Sequence, residues 1–207
     1  MKGLLRKDFY VVRKNLLLMG LMFAIVGSFI AAITSPWILA ILGAVMLGSV
    51  SVSTIISDKS AQWDRFSASL PVAGRTVVSS KYLLYGLLSL AGLLLGTALA
   101  VLLCLVLRNW DTELIWFQIS IGITVSLLSG SISIPCGLRF AEEQATVAMM
   151  LSYAVTSAVF VGIVVVPAAL FQVALNPFWI GTVGDVVGAA AFFLSWQIVS
   201  RHVAPYR

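Results

Sequence analysis

Charge is scarce in this sequence: only 10% of its 207 residues are Asp, Glu, Lys or Arg, while 60% are apolar. Soluble domains carry about 25% charged residues, so the composition excludes an ordinary soluble protein. Long uncharged runs and a mean hydropathy of +1.05 predict an integral membrane protein. The net charge of +5 comes from basic residues at the ends of apolar runs, which argues against a nucleic-acid partner.

Histidine and cysteine are also rare, with one His and two Cys. Cys104 and Cys136 lie inside apolar runs, without metal-type spacing or a set of disulfide pairs. No G-x-x-x-x-G-K-[ST] phosphate loop occurs, and no Gly-Lys dipeptide exists. We therefore expect no catalytic residues, metal site or cofactor in this chain, and we do not expect it to be an enzyme.

Six apolar runs reach the length of about 20 residues that a helix needs to cross a bilayer. The predicted spans are 16–34, 37–56, 82–107, 116–138, 147–170 and 178–200. The expected fold is an all-α membrane protein of six transmembrane helices in a single transmembrane domain, residues 16–207. Residues 1–15 hold Leu5, Phe9 and Val12 at helical spacing among basic residues, which favours an interfacial amphipathic helix. A basic flank that orients the first span is the simpler alternative.

Basic residues also predict the orientation. If both termini are inside, twelve of the thirteen Lys and Arg residues fall on inner segments, and only Arg108 falls outside. The tryptophans at the predicted outer span ends agree with this orientation, because amphipathic rings favour the interface. They are Trp37, Trp110, Trp116 and Trp179.

The longest polar interval between apolar runs is the segment 57–81, predicted to be a cytoplasmic loop. Trp63, Phe66 and Leu70 share one face of a short predicted helix, with Asp64 and Arg65 among its polar positions. Ser60 is a candidate N-cap for this helix. So short a helix needs a surface to pack on, either membrane-span ends or the groove of a partner.

Small and polar residues mark several spans. Gly92 and Gly96, and likewise Gly184 and Gly188, have the spacing of close helix packing, within one chain or between subunits. The fourth span is rich in residues with hydroxyl groups. Its candidates for a cargo path are Ser126, Ser129 and Ser133. Hydroxyls also bond to their own helix, so they do not establish such a path. Asp185 is the acidic residue well inside an apolar run, a candidate for cargo contact or helix pairing.

Several short strings resemble the permeases of ABC-2 type bacterial ABC transporters. They are Lys2-Gly3-Leu4-Leu5 with Arg6-Lys7-Asp8, Trp63-Asp64-Arg65-Phe66, Ser69-Leu70-Pro71-Val72, Ser80-Lys81-Tyr82 and Leu138-Arg139-Phe140 with Glu142-Glu143. The strings come in the family's order, and the six-span plan covers the whole chain. Within this family, the chain is most similar to the permease subunits of exporters for phenol-soluble modulins, which are amphipathic peptide toxins.

The resemblance implies a bacterial plasma-membrane permease that pairs with a second six-span subunit, identical or different. Two separate ATPase subunits would bind ATP and Mg²⁺. The segment around Trp63, Asp64, Arg65, Phe66 and Leu70 would be the coupling helix, residues 1–15 the interfacial elbow helix, and Arg139, Glu142 and Glu143 a second ATPase contact. The cargo would be an amphipathic peptide or a lipid-like molecule.

The alternatives to export are a secondary transporter or channel, an intramembrane enzyme, and a scaffold or immunity protein. A secondary transporter or channel usually carries several intramembrane charges, whereas Asp185 stands alone here. An intramembrane enzyme would need a nucleophile with a base, or a metal cluster, and the residues for neither are evident. A scaffold or immunity protein is not separable from an exporter by sequence, because one pump can export a toxin and protect its producer.

Overall fold

The computed structural model describes residues 2–63, 74–107, 112–140, 142–171 and 177–202. These residues are helical apart from short turns. Helix α1 (Lys2–Met22) continues through a π-helical turn (Phe23–Gly27) into α2 (Ser28–Ile33). The remaining helices are α3 (Ile38–Ser60), α4 (Gly74–Leu107), α5 (Thr112–Arg139), α6 (Glu142–Phe171) and α7 (Pro177–His202).

The helices correspond to the predicted spans. Five segments of the described residues are long and apolar enough to cross a membrane: Leu16–Ile33, Ile38–Ser60, Gly74–Leu107, Ile115–Arg139 and Phe178–Arg201. The described part of α6 contributes a shorter apolar segment, Met149–Gly162, within the predicted span 147–170. The prediction of an all-helical, multi-pass membrane protein is therefore confirmed.

The N-terminal region differs from the expected short interfacial helix followed by a separate span. Residues 2–33 run as one helix, interrupted only by the π-helical turn. Leu5, Val12 and Leu16 pack in one cluster with residues of α3 and α4, whereas Phe9 is 51% exposed. Because Leu16 packs in the same cluster as Leu5 and Val12, the helix continues in one direction past residue 15.

Helices α3 and α4 approach each other through glycines. A β carbon on Gly92 would collide with the carbonyl oxygen of Gly43, and one on Gly96 would collide with that of Leu39. Backbones that pack this closely gain extensive van der Waals contact, which drives helix association in lipid. These glycines therefore position α4 beside α3 along the middle of the bundle.

The two ends of the bundle have different cores. At one end, Val52, Tyr82 and Val199 belong to a cluster shared by α3, α4, α5 and α7. At the other, called the far end here, Trp37 and Cys104 pack together in a second cluster. Trp37 caps the start of α3, at the predicted end of the span, and its ring is only 3% exposed, so it packs within the protein. Trp37 lies in the turn between α2 and α3, and its ring packs into the far-end core.

Candidate functional site

Four charged side chains form a cluster where α1, α3 and α4 meet. Lys81 Nζ lies 2.9 Å from Asp8 Oδ2 and 2.6 Å from Asp58 Oδ2. Lys7 forms an ion pair with Asp58, and its Nζ lies 3.5 Å from Asp8 Oδ1. Asp8, Asp58 and Lys81 are exposed by only 2%, 9% and 4%. We call Lys7, Asp8, Asp58 and Lys81 the charge cluster.

The local sequence explains how these side chains meet. Asp8 lies three residues after Leu5 and four before Val12, so it shares the face of α1 that packs on α3 and α4. Asp58 lies in the last turn of α3, where the helix dipole disfavours a carboxylate. The ammonium groups of Lys7 and Lys81 compensate for this position. Thr54, one turn earlier on α3, places its Oγ1 3.4 Å from Lys81 Nζ.

The charge cluster is balanced, with two ammonium groups against two carboxylates. Burying charges is costly, and their mutual attraction offsets that cost only when each charge keeps its partners. Removing one member of a buried pair typically costs about 3–5 kcal/mol, because a lone charge remains. The cluster therefore links the N-terminal helix firmly to both ends of the segment 57–81, through Asp58 and Lys81.

The predicted coupling helix begins beside this cluster. Helix α3 continues to Ser60, whose hydroxyl donates to the carbonyl of Ser57, so Ser60 closes α3 rather than starting a new helix. Gln62 then takes a left-handed conformation, with φ of 51°. The ring of Trp63 follows, with Lys7 Nζ 3.9 Å from its centroid. Asp64, Arg65, Phe66 and Leu70 lie outside the described residues.

The other end of the segment 57–81 contacts the C-terminal helix. The guanidinium carbon of Arg75 lies 5.5 Å from the ring centroid of Trp196 in α7. The indole Nε1–H of Trp196 donates to Ser79 Oγ at 3.0 Å. One tryptophan therefore connects the start of α4 to the end of α7.

The second predicted contact lies at the junction of α5 and α6. Arg139 is the last residue of α5 and is exposed, and the backbones of Glu142 and Glu143 begin α6. The ammonium group of Lys59 donates to the carbonyl oxygen of Phe140 at this junction. A cation at a helix C-terminus is favourable because it pairs with carbonyls that lack helical partners. Lys59 thus connects the end of α3 to the second predicted contact.

The sequence alone does not indicate that Asp8, Asp58 and the ammonium group of Lys81 meet. One signal was available: Asp8 is a carboxylate at a helical position between apolar residues, where it requires a cationic partner. That partner, Lys81, lies 73 residues from Asp8, and Lys7 pairs with Asp58 across 51 residues, which spacing alone does not reveal. Among the residues that the structure describes, no group of three or more His, Cys, Asp or Glu is arranged to hold a metal ion.

The candidate cargo-path residues do not form one cluster. Ser133 Oγ lies 2.6 Å from Ser152 Oγ of α6, and the hydroxyl of Ser126 donates to the carbonyl of Ile123 in its own helix. Ser129 is buried at 1% exposure. Asp185 lies in α7, where it accepts a hydrogen bond of 2.9 Å from Thr124 Oγ1 of α5. Ser126 and Ser133 therefore form hydrogen bonds within the bundle, and a role of the three serines and Asp185 in a cargo path stays a prediction.

The candidate interface glycines pack within the chain. Gly92 and Gly96 contact α3, and β carbons on Gly184 and Gly188 would lie 2.8 Å from Thr124 Oγ1 and 3.3 Å from Thr124 O. The structure thus supports the intramolecular alternative for all four positions. A role for them between subunits stays a prediction without support from this geometry.

Comparison with known proteins identifies a family. The family model described as "ABC-2 family transporter protein" matches residues 3–204, nearly the whole chain. No curated protein and no solved structure matches the chain.

Proposed function

The chain belongs to the ABC-2 family of transporter proteins, and from this membership we propose that it is the membrane-spanning permease subunit of an ATP-driven exporter. The charge cluster is the observation that carries the proposal. It joins α1, α3 and α4 at the two ends of the segment that resembles a coupling loop. A force applied to that segment reaches three helices at once.

We infer that two separate ATPase subunits bind ATP and Mg²⁺ and contact the segment 57–81. The contact residues would be Trp63, Asp64, Arg65, Phe66 and Leu70, with a second contact at Arg139, Glu142 and Glu143. The link from Lys59 to Phe140 supports this pairing of contacts, because it connects the segment to the α5–α6 junction. Closure of the ATPases would then shift both contacts together and change access to a path through the membrane.

The proposed location is the bacterial plasma membrane, with both termini in the cytoplasm. Basic side chains support this orientation, because Lys7, Arg75 and Arg201 lie on the helix segments at the charge-cluster end. A second six-span permease, identical or different, would complete the path. The exported molecule would be an amphipathic peptide, such as a phenol-soluble modulin, or a lipid-like molecule.

Co-purification tests this proposal. We would express the chain with an ABC ATPase encoded beside its gene, purify the complex in mild detergent and measure ATP hydrolysis. We expect a stable complex whose assembly or activity falls at least several-fold when Trp63 or Phe66 is changed to alanine. Trp179→Ala is the matched control, because Trp179 is 65% exposed at the far end.

Two results would overturn the proposal. One is a chain that purifies without any ATPase. The other is transport in vesicles that continues without ATP and stops when the ion gradient is dissipated, which would identify a secondary transporter.

A further inference from the structure

Asp185 carries a carboxylate inside the membrane-spanning part of α7. It lies eight residues beyond Pro177, which corresponds to about 12 Å along the helix axis from the far end. The candidate membrane span of this helix begins at Phe178, so the carboxylate lies about two helical turns inside that span. Trp116 and Phe178, whose rings stack with centroids 5.8 Å apart, cover the α5–α7 contact nearer the far end.

The carboxylates of the charge cluster pair with ammonium groups, whereas the carboxylate of Asp185 has no such partner among the described residues. Its Oδ1 accepts a hydrogen bond from Thr124 Oγ1 at 2.9 Å, which is a neutral donor. None of the ion pairs found among the described residues includes Asp185. An ionised carboxylate within a membrane is costly and normally faces a partner or a polar cavity. Among the described residues, Asp185 is therefore a carboxylate with a hydroxyl donor but without an ion-pair partner.

The side chains around Asp185 indicate what kind of molecule would carry a cation to it. Gly184 is buried against Thr124, Asp185 is partly exposed, and Val186 is 69% exposed. Phe192, seven residues later on the same face of α7, has its ring centroid 5.2 Å from that of Tyr82 in α4. Asp185 thus lies at the α5–α7 contact, beside exposed apolar side chains.

We propose that Asp185, oriented by Thr124, is a binding site for an ammonium or guanidinium group carried by a molecule with an apolar body. Where that molecule is the exported cargo, the inference rests on the proposed function. A lysine of an amphipathic peptide and the amine headgroup of a phospholipid share this chemistry. The binding itself requires no ATPase.

Two fluorescently labelled helical peptides test the site, one of leucine and lysine and one in which glutamine replaces every lysine. The full chain is placed in nanodiscs of phosphatidylcholine, and affinity is measured by fluorescence anisotropy. Asp185→Asn is the informative variant, because its amide oxygen still accepts the Thr124 hydrogen bond while the charge is lost. Asp185→Glu keeps the charge, and Asp111→Asn removes a carboxylate between the predicted third and fourth spans.

We expect Asp185→Asn to weaken binding of the lysine peptide by about tenfold or more and to leave the glutamine peptide unchanged. Asp185→Glu and Asp111→Asn should bind the lysine peptide nearly as the unchanged protein does. If phosphatidylethanolamine in the nanodisc competes with the lysine peptide only when Asp185 is present, the site also accepts the lipid amine.

Equal affinity of the unchanged protein for both peptides would overturn the inference. So would an unchanged affinity of Asp185→Asn for the lysine peptide when that variant has the same thermal stability as the unchanged protein. Because the binding test involves no ATPase, either result together with successful co-purification removes this inference and leaves the proposed function in place.

Discussion

The two ends of the bundle are stabilised by different kinds of interaction. At one end, four charged side chains, three of them buried, pair across α1, α3 and α4. Toward the far end, α4 packs on α3 through Gly92 and Gly96, and α7 packs on α5 through Gly184. Ion pairs depend on each partner being present, whereas glycine contacts depend on the absence of a side chain. The difference shows that the loop end is specified by charge and the membrane interior by shape.

Losing Lys81 should have the largest effect on this comparison. Lys81→Met leaves the carboxylates of Asp8 and Asp58 buried with only Lys7, so we expect a loss of about 3–5 kcal/mol in the free energy of unfolding. The measurement is denaturant-induced unfolding in detergent, followed by tryptophan fluorescence. Arg201→Met is the control, since Arg201 is exposed at the same end. Equal losses in both variants would contradict a special role of the cluster.

A second variant sharpens that result. Adding Asp8→Asn to Lys81→Met removes one of the two carboxylates that share the single remaining ammonium group of Lys7 and should recover part of the lost stability. A double variant less stable than Lys81→Met by the full cost of Asp8→Asn alone would mean that the two side chains act independently.

Filling a glycine contact should have the next largest effect. Gly96→Leu forces a side chain against the backbone of Leu39, so we expect a loss of about 1–3 kcal/mol or more from overpacking. Thermal unfolding and size-exclusion chromatography of the purified protein would measure it. Gly86→Leu on the same helix is the matched control, because no atom lies within 4 Å of its β-carbon position. Similar losses at both positions would argue against the close approach of α3 and α4.

Removing a buried hydroxyl should have a smaller effect. Tyr85 OH donates to the carbonyl of Ser126 at 2.6 Å, and its ring fits between Gly48 and Gly130. Tyr85→Phe keeps the ring and loses the hydrogen bond, so we expect a loss of about 1 kcal/mol in unfolding free energy. Tyr10→Phe, at a position 61% exposed, should change nothing measurable. An effect of Tyr85→Phe no larger than that of the control would show that the hydrogen bond adds no stability.

The smallest expected effect comes from a single indole nitrogen. Trp196→Phe keeps an aromatic face for Arg75 but removes the hydrogen bond to Ser79, which should cost about 0.5–1 kcal/mol. The same thermal measurement applies. Trp179→Phe makes the same chemical change at an exposed far-end position and should be neutral. A larger loss of stability in Trp179→Phe than in Trp196→Phe would contradict the expected difference between the two ends.

Much of the helical plan follows from hydropathy, because crossing a bilayer requires long apolar helices with their backbone bonds satisfied internally. The ends of the helices were less predictable. Helix α3 extends to Ser60 and α4 starts at Gly74, so both enter the segment 57–81 that composition assigned to a loop. Polar residues such as Asp58 and Lys81 continue these helices because the charge cluster supplies their partners.

The candidate site was predictable only in part. A helical pattern singled out Trp63, but the cation beneath its ring comes from Lys7, which local spacing does not connect to it. The burial of Asp8 depends on the faces that α3 and α4 present to it, which the local sequence around Asp8 does not reveal. The glycine pairs were recognised as packing motifs, yet the sequence left open which helix each one meets.

The continuous first helix has a consequence for biosynthesis. Asp8 leaves the ribosome 73 residues before Lys81, the ammonium group with which it forms its buried hydrogen bond. Until α4 emerges, only the neighbouring Lys7 offsets this carboxylate, at 3.5 Å in the finished protein. We expect the N-terminal helix to reach its final depth only after the third predicted span has entered the membrane. Crosslinking of ribosome-bound chains of increasing length would show the chain length at which the helix reaches that depth. Lys81→Met should increase this length.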